Sequence, residues 1–130
     1  MLVTRKMLFA GPLASLLLIP KKIKTNGELV LYLTESLEKP PLTQLASTVN
    51  LLSEDSRKAL GKLLVNYDEF IKLISSEAER KVLGGGGNAT ERIYIWAKCK
   101  GIADIIQESL ETIFFEDELF KKNSQRYCIF

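Results

Sequence analysis

Four consecutive glycines interrupt the chain in the stretch Val82-Leu83-Gly84-Gly85-Gly86-Gly87-Asn88-Ala89-Thr90-Glu91-Arg92-Ile93-Tyr94-Ile95-Trp96. No regular element runs through them without loss, because each glycine in a helix or strand interior costs about 0.5–1 kcal/mol relative to alanine. The run therefore divides the chain, and the fold depends on what it joins. Three arrangements accommodate it: a flexible tip between two strands, a loop between two long helices, or an inserted linker.

At 130 residues the chain has room for one core, or for a domain with an arm. Its 46% hydrophobic and 26% charged residues lie near globular averages, which excludes disordered and collagen-like classes. The net charge of +2 conceals an asymmetry. Arg5, Lys6, Lys21, Lys22 and Lys24 meet no acid before Glu28, so the first 27 residues carry +5 and the remainder −3. A basic segment on a nearly balanced body suits an anionic partner, nucleic acid or a lipid surface, or serves as a solubilising arm.

The sequence contains no histidine. Ser/His/Asp triads, Cys/His dyads and the usual zinc sites are excluded with it, and catalysis lacks a general base near neutrality. Cys99 and Cys128, 29 positions apart, match no metal-ligand spacing, and reduced thiols in a cytosolic protein are the expectation. The apolar stretch Met7–Ile19 is 13 residues long and interrupted by Gly11-Pro12. It is too short to span a bilayer and lacks a small-x-small cleavage site, so a buried element packed on the fold is expected.

After the turn-forming residues 21–27, Leu29, Val30, Tyr32, Leu33 and Leu37 recur at helical spacing, with Asn26 as a candidate N-cap. Lys39-Pro40-Pro41 ends that helix, because the residue before proline leaves the α region and proline cannot donate. A short amphipathic helix over Leu42–Val49, a turn at Asn50 and a helix from Ser53 through Leu64 then make a helix-turn-helix. Leu45, Val49, Leu51, Ala59, Leu60 and Leu63 are expected on its inner faces.

The stretch LTQLASTVNLLSEDSRKALGKL resembles the winged helix-turn-helix DNA-binding regulators of the MarR and PadR kind. It departs from them at Asn50, where the family has a turn glycine, and at Ser56, where it has a buried aliphatic. The resemblance implies a strand, a wing, a second strand and a packing or dimerising helix after the recognition helix. Glu69–Ser75 and Arg92–Ala97 supply such strands, the glycines the tip of the wing, and Lys100-Gly101-Ile102-Ala103 the start of the last helix. This reading makes the chain mostly α with a small β-hairpin. Residues 1–27 form a basic, apolar arm, 28–100 the winged-helix domain, and 101–130 a C-terminal dimerisation helix and tail.

A rival pattern runs through the same residues. Leu60, Leu63, Leu64, Tyr67, Phe70, Ile71, Ile74, Ala78 and Val82 keep three-and-four spacing without a break, and Asn88-Ala89-Thr90-Glu91 reads as a capping box. Gly84 is then a helix C-cap and the product an all-α hairpin or bundle. Three features favour the strands. Asn66-Tyr67-Asp68 and Ser75-Ser76 are weak helix formers, Ile93-Tyr94-Ile95-Trp96 is apolar on every side, and Gly101 fits a strand-to-helix junction. A single rod over residues 56–83 would exclude them.

The winged reading implies sequence-specific binding of double-stranded DNA and a cytoplasmic transcriptional regulator. Ser53, Arg57, Lys58 and Lys62 would enter or flank the major groove, while Arg80, Lys81 and Arg92 would clamp phosphates from the wing. Arg57 is the first candidate for base readout, since its fork can hold guanine bidentately. Ile102, Ile105, Ile106, Leu110, Ile113, Phe114, Leu119 and Phe120 suit a homodimer interface on the closing helix. No enzyme activity, cofactor, metal, membrane or small-molecule substrate is assigned. The alternative is a protein–protein interaction module without nucleic-acid binding.

Overall fold

The computed structural model describes residues 2–19 and 22–127, with side chains for 3–19 and 22–123. Its elements are α1 (Leu2–Leu17), α2 (Asn26–Glu38), α3 (Pro41–Ala46), a 3-10 turn (Val49–Leu51), α4 (Glu54–Ser75), α5 (Glu77–Leu83), α6 (Ala89–Glu111), a π turn (Thr112–Glu116) and α7 (Glu118–Tyr127). Among the described residues there is no strand. The winged helix-turn-helix is overturned, and a helical bundle stands in its place.

The glycines turn the chain between helices. Gly84 caps α5, the amide of Gly86 donates to the Lys81 carbonyl (2.8 Å) and that of Gly85 to Val82 (3.1 Å). This pair of bonds is a Schellman motif, and it requires the positive φ of +100° that Gly85 adopts. Gly87, at φ +76°, delivers the chain to Asn88, whose side chain accepts from the Glu91 amide (2.9 Å) while Glu91 accepts from the Asn88 amide (3.2 Å). The capping box is therefore real, and a Cβ on Gly87 would lie 2.5 Å from the Glu91 carboxylate.

Each residue that pointed to a strand has a helical explanation. Asn66 donates to the Lys62 carbonyl one turn back (2.8 Å), and Asp68 pairs with Lys72 (2.9 Å). Ser76 ends one helix and starts the next: its amide closes α4 on the Lys72 carbonyl (3.2 Å), and it serves as the N-cap of α5. Gly101 lies inside α6 on an exposed face with nothing within 4 Å of a Cβ, so its propensity cost is simply carried. Of Ile93, Tyr94, Ile95 and Trp96 only Ile95 is buried, because helical period puts it in line with Ile102 and Ile106 and turns the others outward.

No helix-turn-helix pair forms either. The motif needs a left-handed turn at Asn50, but the described residues other than glycine all have negative φ, and Asn50 lies in the 3-10 turn. Leu45, Leu60 and Leu63 are buried as expected, whereas Val49 and Leu51 are exposed and Leu52 and Ser56 take the inner positions. Pro41 starts α3 at its first turn, where its missing N–H costs nothing. That helix packs on α1. The N-cap of α2 is Thr25, which accepts from Glu28 (3.2 Å), one residue ahead of the expected Asn26.

Helix α1 is the expected buried apolar element. Val3, Met7, Ala10, Ala14 and Leu17 face a core completed by Leu45, Leu60, Leu63, Phe70, Ile102, Ile106, Ile113, Phe114 and Phe120. Five of the closing residues, Ile102, Ile106, Ile113, Phe114 and Phe120, thus pack within their own chain while Leu119 stays exposed, and the expected boundary at residue 101 falls inside α6. Gly11 lets α1 meet α3: a Cβ there would stand 2.5 Å from the Cα of Pro41. The last carbonyls of α1 are capped from afar, Ser15 by the Tyr32 hydroxyl (2.9 Å) and Leu17 by the Asn123 amide (2.6 Å). Ser15 in turn donates to the buried Gln44 (2.9 Å).

Two glycine substitutions should move stability in opposite directions. Gly11→Ala should cost about 1–3 kcal/mol through overpacking, while Gly101→Ala should add up to about 1 kcal/mol by restricting the unfolded chain. Urea denaturation followed by circular dichroism measures both.

Candidate functional site

The proposed DNA contacts are dispersed along the hairpin, and most already have partners. Ser53 is the N-cap of α4 and accepts from Ser56 (3.4 Å). The Arg57 guanidinium donates to the carbonyls of Val49 (3.0 Å) and Asn50 (3.4 Å), closing the 3-10 turn. Lys58 pairs with Glu54 (3.5 Å) and Lys81 with Glu77 (3.2 Å), each one helical turn away and well exposed. Such pairs contribute little to stability, but each sets a carboxylate beside its cation, so the pair presents no net charge to a phosphate backbone. Lys62 is exposed on α4, Arg80 lies in the last turn of α5, and Arg92 in the first turn of α6. Lys58 and Lys62 line one groove, where Asp55 and Glu108 balance them.

The densest polar cluster is one that sequence reading missed. Asp117, 4% exposed, follows the π turn and starts α7, where its carboxylate accepts from the Leu119 amide (3.1 Å). Its other oxygen accepts from the Ser53 amide at the start of α4 (2.9 Å), 64 residues away in sequence. One carboxylate thus receives the positive ends of two helices. Burial pushes the carboxyl up, but the amides of Ser53 and Phe120 and the hydroxyls of Ser53 and Ser56 outweigh it and hold it below its ordinary 3.8. An aspartate just ahead of a helix was readable as a cap; its reach to Ser53 was not.

Within the cluster the Ser53 hydroxyl also donates to that of Ser56 (3.1 Å), so the two serines are tied to each other as well as to the carboxylate. Among the described residues no group of His, Cys, Asp and Glu could hold a metal ion. Cys99 is a free, half-buried thiol, pushed up by burial and by the Glu79 charge, and so a poor nucleophile. Cys128 and the end of the tail lie outside the described residues.

What the surface does offer is apolar. Ile93, Tyr94 and Trp96 project from a single turn of α6 with 71%, 65% and 58% of their area exposed. Arg80, Arg92 and Lys98 nearby make no ion pair among the described residues. No residue of α2 is buried, and Val30 and Leu37 border a shallow groove walled by that helix alone. A cleft of about 270 Å³ lies between α1 and the end of α6, lined by Phe9, Leu13, Leu110, Phe114 and Phe115. No family model, curated protein or solved structure matches this chain.

The linkage sign for Asp117 follows from its lowered value. The carboxylate is bound more tightly when folded, so its contribution is complete above pH 3.8 and is lost as acid titrates the folded group. Asp117→Ala should cost about 2–3 kcal/mol at neutral pH, since two helix starts lose an acceptor, and should flatten the acid limb of the stability curve. Denaturant titrations from neutral pH to below pH 3.8 test both.

Proposed function

We propose that the protein is an all-helical protein–protein interaction module, docking through the outward face of α6 beside the glycine turn. The observation that carries this reading is the exposed trio Ile93, Tyr94 and Trp96. Tryptophan and tyrosine are the residues that dominate interface hot spots, and three large apolar side chains exposed within one turn exceed the scatter of a surface with no partner. The helix face inward of them is already filled by Ile95, Ile102 and Ile106, so their exposure is not a deficit of the core.

The occupant is an amphipathic helix with acidic flanks. Its apolar face would cover Ile93 and Trp96, and its carboxylates would meet Arg80, Arg92 and Lys98, the cations left without partners. Duplex DNA finds less support. The arginine first chosen for base readout is held by two carbonyls, and Lys58 and Lys81 are paired with acids.

Selection of a displayed library of amphipathic helical peptides on the folded protein tests the proposal. Enriched sequences should carry acidic flanks, and their binding should blue-shift the emission of the single tryptophan, Trp96. Trp96→Ala and Ile93→Asp should each weaken binding about tenfold or more. No enrichment, or enriched peptides indifferent to both substitutions, would overturn the reading. Tight, salt-dependent binding to duplex DNA instead would restore the nucleic-acid alternative.

A further inference from the structure

We infer that a second surface, the outward face of α1, lies on an anionic lipid membrane. Helix α1 contains no acidic residue. Its outward positions are Thr4, Arg5, Leu8, Phe9, Pro12 and Leu16, with Ile19 just beyond its end. Phe9 is 68% exposed, Leu8 57% and Leu16 47%. Met7, Ala10 and Ala14 hold the opposite face in the core, so α1 is apolar on both sides and only one side is covered. At about 1.5 Å per residue the helix is about 24 Å long, and no described helix is long and apolar enough to cross a membrane. A helix of this kind, anchored on a folded body, can meet a bilayer only by lying along it.

Charge selects the lipid surface over a second copy of the chain. Arg5 and Lys6 stand at one end of the face and Lys22 and Lys24 beyond the other, and none of them makes an ion pair among the described residues. Packing this face against its twofold mate would bring two segments of +5 together. A negative leaflet instead attracts every one of these cations, strengthening partition about fivefold for each. The cleft beside α1 adds an independent feature. Phe9 belongs both to the outward face and to the cleft wall, and Lys6 lines the same cleft. Gln107 and Glu111 share that rim with Lys6, so the cleft contributes apolar area for an acyl chain and no net charge for its headgroup. This surface is separate from the α6 face and does not depend on that proposal.

Cosedimentation of the full chain with vesicles tests it, using phosphatidylcholine alone and phosphatidylcholine mixed with phosphatidylserine. The protein should sediment with the anionic vesicles only, and less so as salt rises. The double variant Phe9→Glu, Leu16→Glu should lose at least tenfold in partition, and Trp96→Ala should lose none. Lys22→Glu with Lys24→Glu, outside the helices, should also release the protein and covers the case in which the α1 variant misfolds. Absence of anionic preference, binding insensitive to salt, or charge-reversed protein that sediments like the wild type would overturn the inference. So would analytical ultracentrifugation showing a dimer that the α1 variant dissociates, which would assign the face to a second copy.

Discussion

A single buried carboxylate closes the base of this bundle. Asp117 accepts from the first amides of α7 and from the amide that precedes α4, so the two helices start from one charge. A helix N-terminus leaves amides that the helix itself cannot satisfy; Ser53 caps α4 with its own hydroxyl, and its amide joins the first amides of α7 on the Asp117 carboxylate. The consequence extends beyond the bond. With its start held there, α7 stacks Phe120 against Phe114 at 4.8 Å and carries Asn123 to the last carbonyls of α1. At the far end of the same hairpin the glycine turn performs the complementary task, reversing the chain with backbone bonds alone. Long helices between two pinned ends have one register available.

The α1 segment depends on that frame. It has a proline inside it, and its terminal carbonyls are satisfied by side chains from α2 and α7 instead of by a cap of its own. Gly11 and Pro41 bring α1 and α3 to backbone contact, and the buried Ser15–Gln44 hydrogen bond orients them. Such a helix is held by its tertiary neighbours more than by its own propensity. What remains unburied is correspondingly lopsided: the outward faces of α1 and α2 and the tip of α6 are apolar, while the charged residues of α4 and α5 mostly pair along their own helices. The molecule presents apolar area beside cations that make no ion pair among the described residues.

Much of the helical detail was legible. The proline break after α2, the capping box at Asn88 and the role of Gly84 follow from backbone chemistry within a few residues, where local rules are strongest. The strand reading failed because propensity was weighed above period. Asn66, Asp68 and Ser75 are weak helix formers alone, yet Leu60, Leu63, Phe70 and Leu73 bury one continuous face, and burial of that face outweighs a few tenths of a kcal/mol per residue. For the same reason, four apolar letters at 93–96 could not reveal which single one faced inward. The basic residues of the expected DNA surface are visible as charges in the sequence, but the partners of Arg57, Lys58 and Lys81 emerge only once the chain is folded.

By itself the sequence determined the proline break after α2 and the caps at Gly84 and Asn88, the lack of any histidine, and the gathering of positive charge before Glu28. Those properties are local or compositional, so they need no knowledge of the fold. Only the tertiary structure decided that Asp117 would cap a helix 64 residues away, that the apolar closing residues would fill their own core, and that Phe9 and Trp96 would face outward. Each of these depends on which helix faces meet, and that is set by the packing of the whole chain, which no single segment encodes.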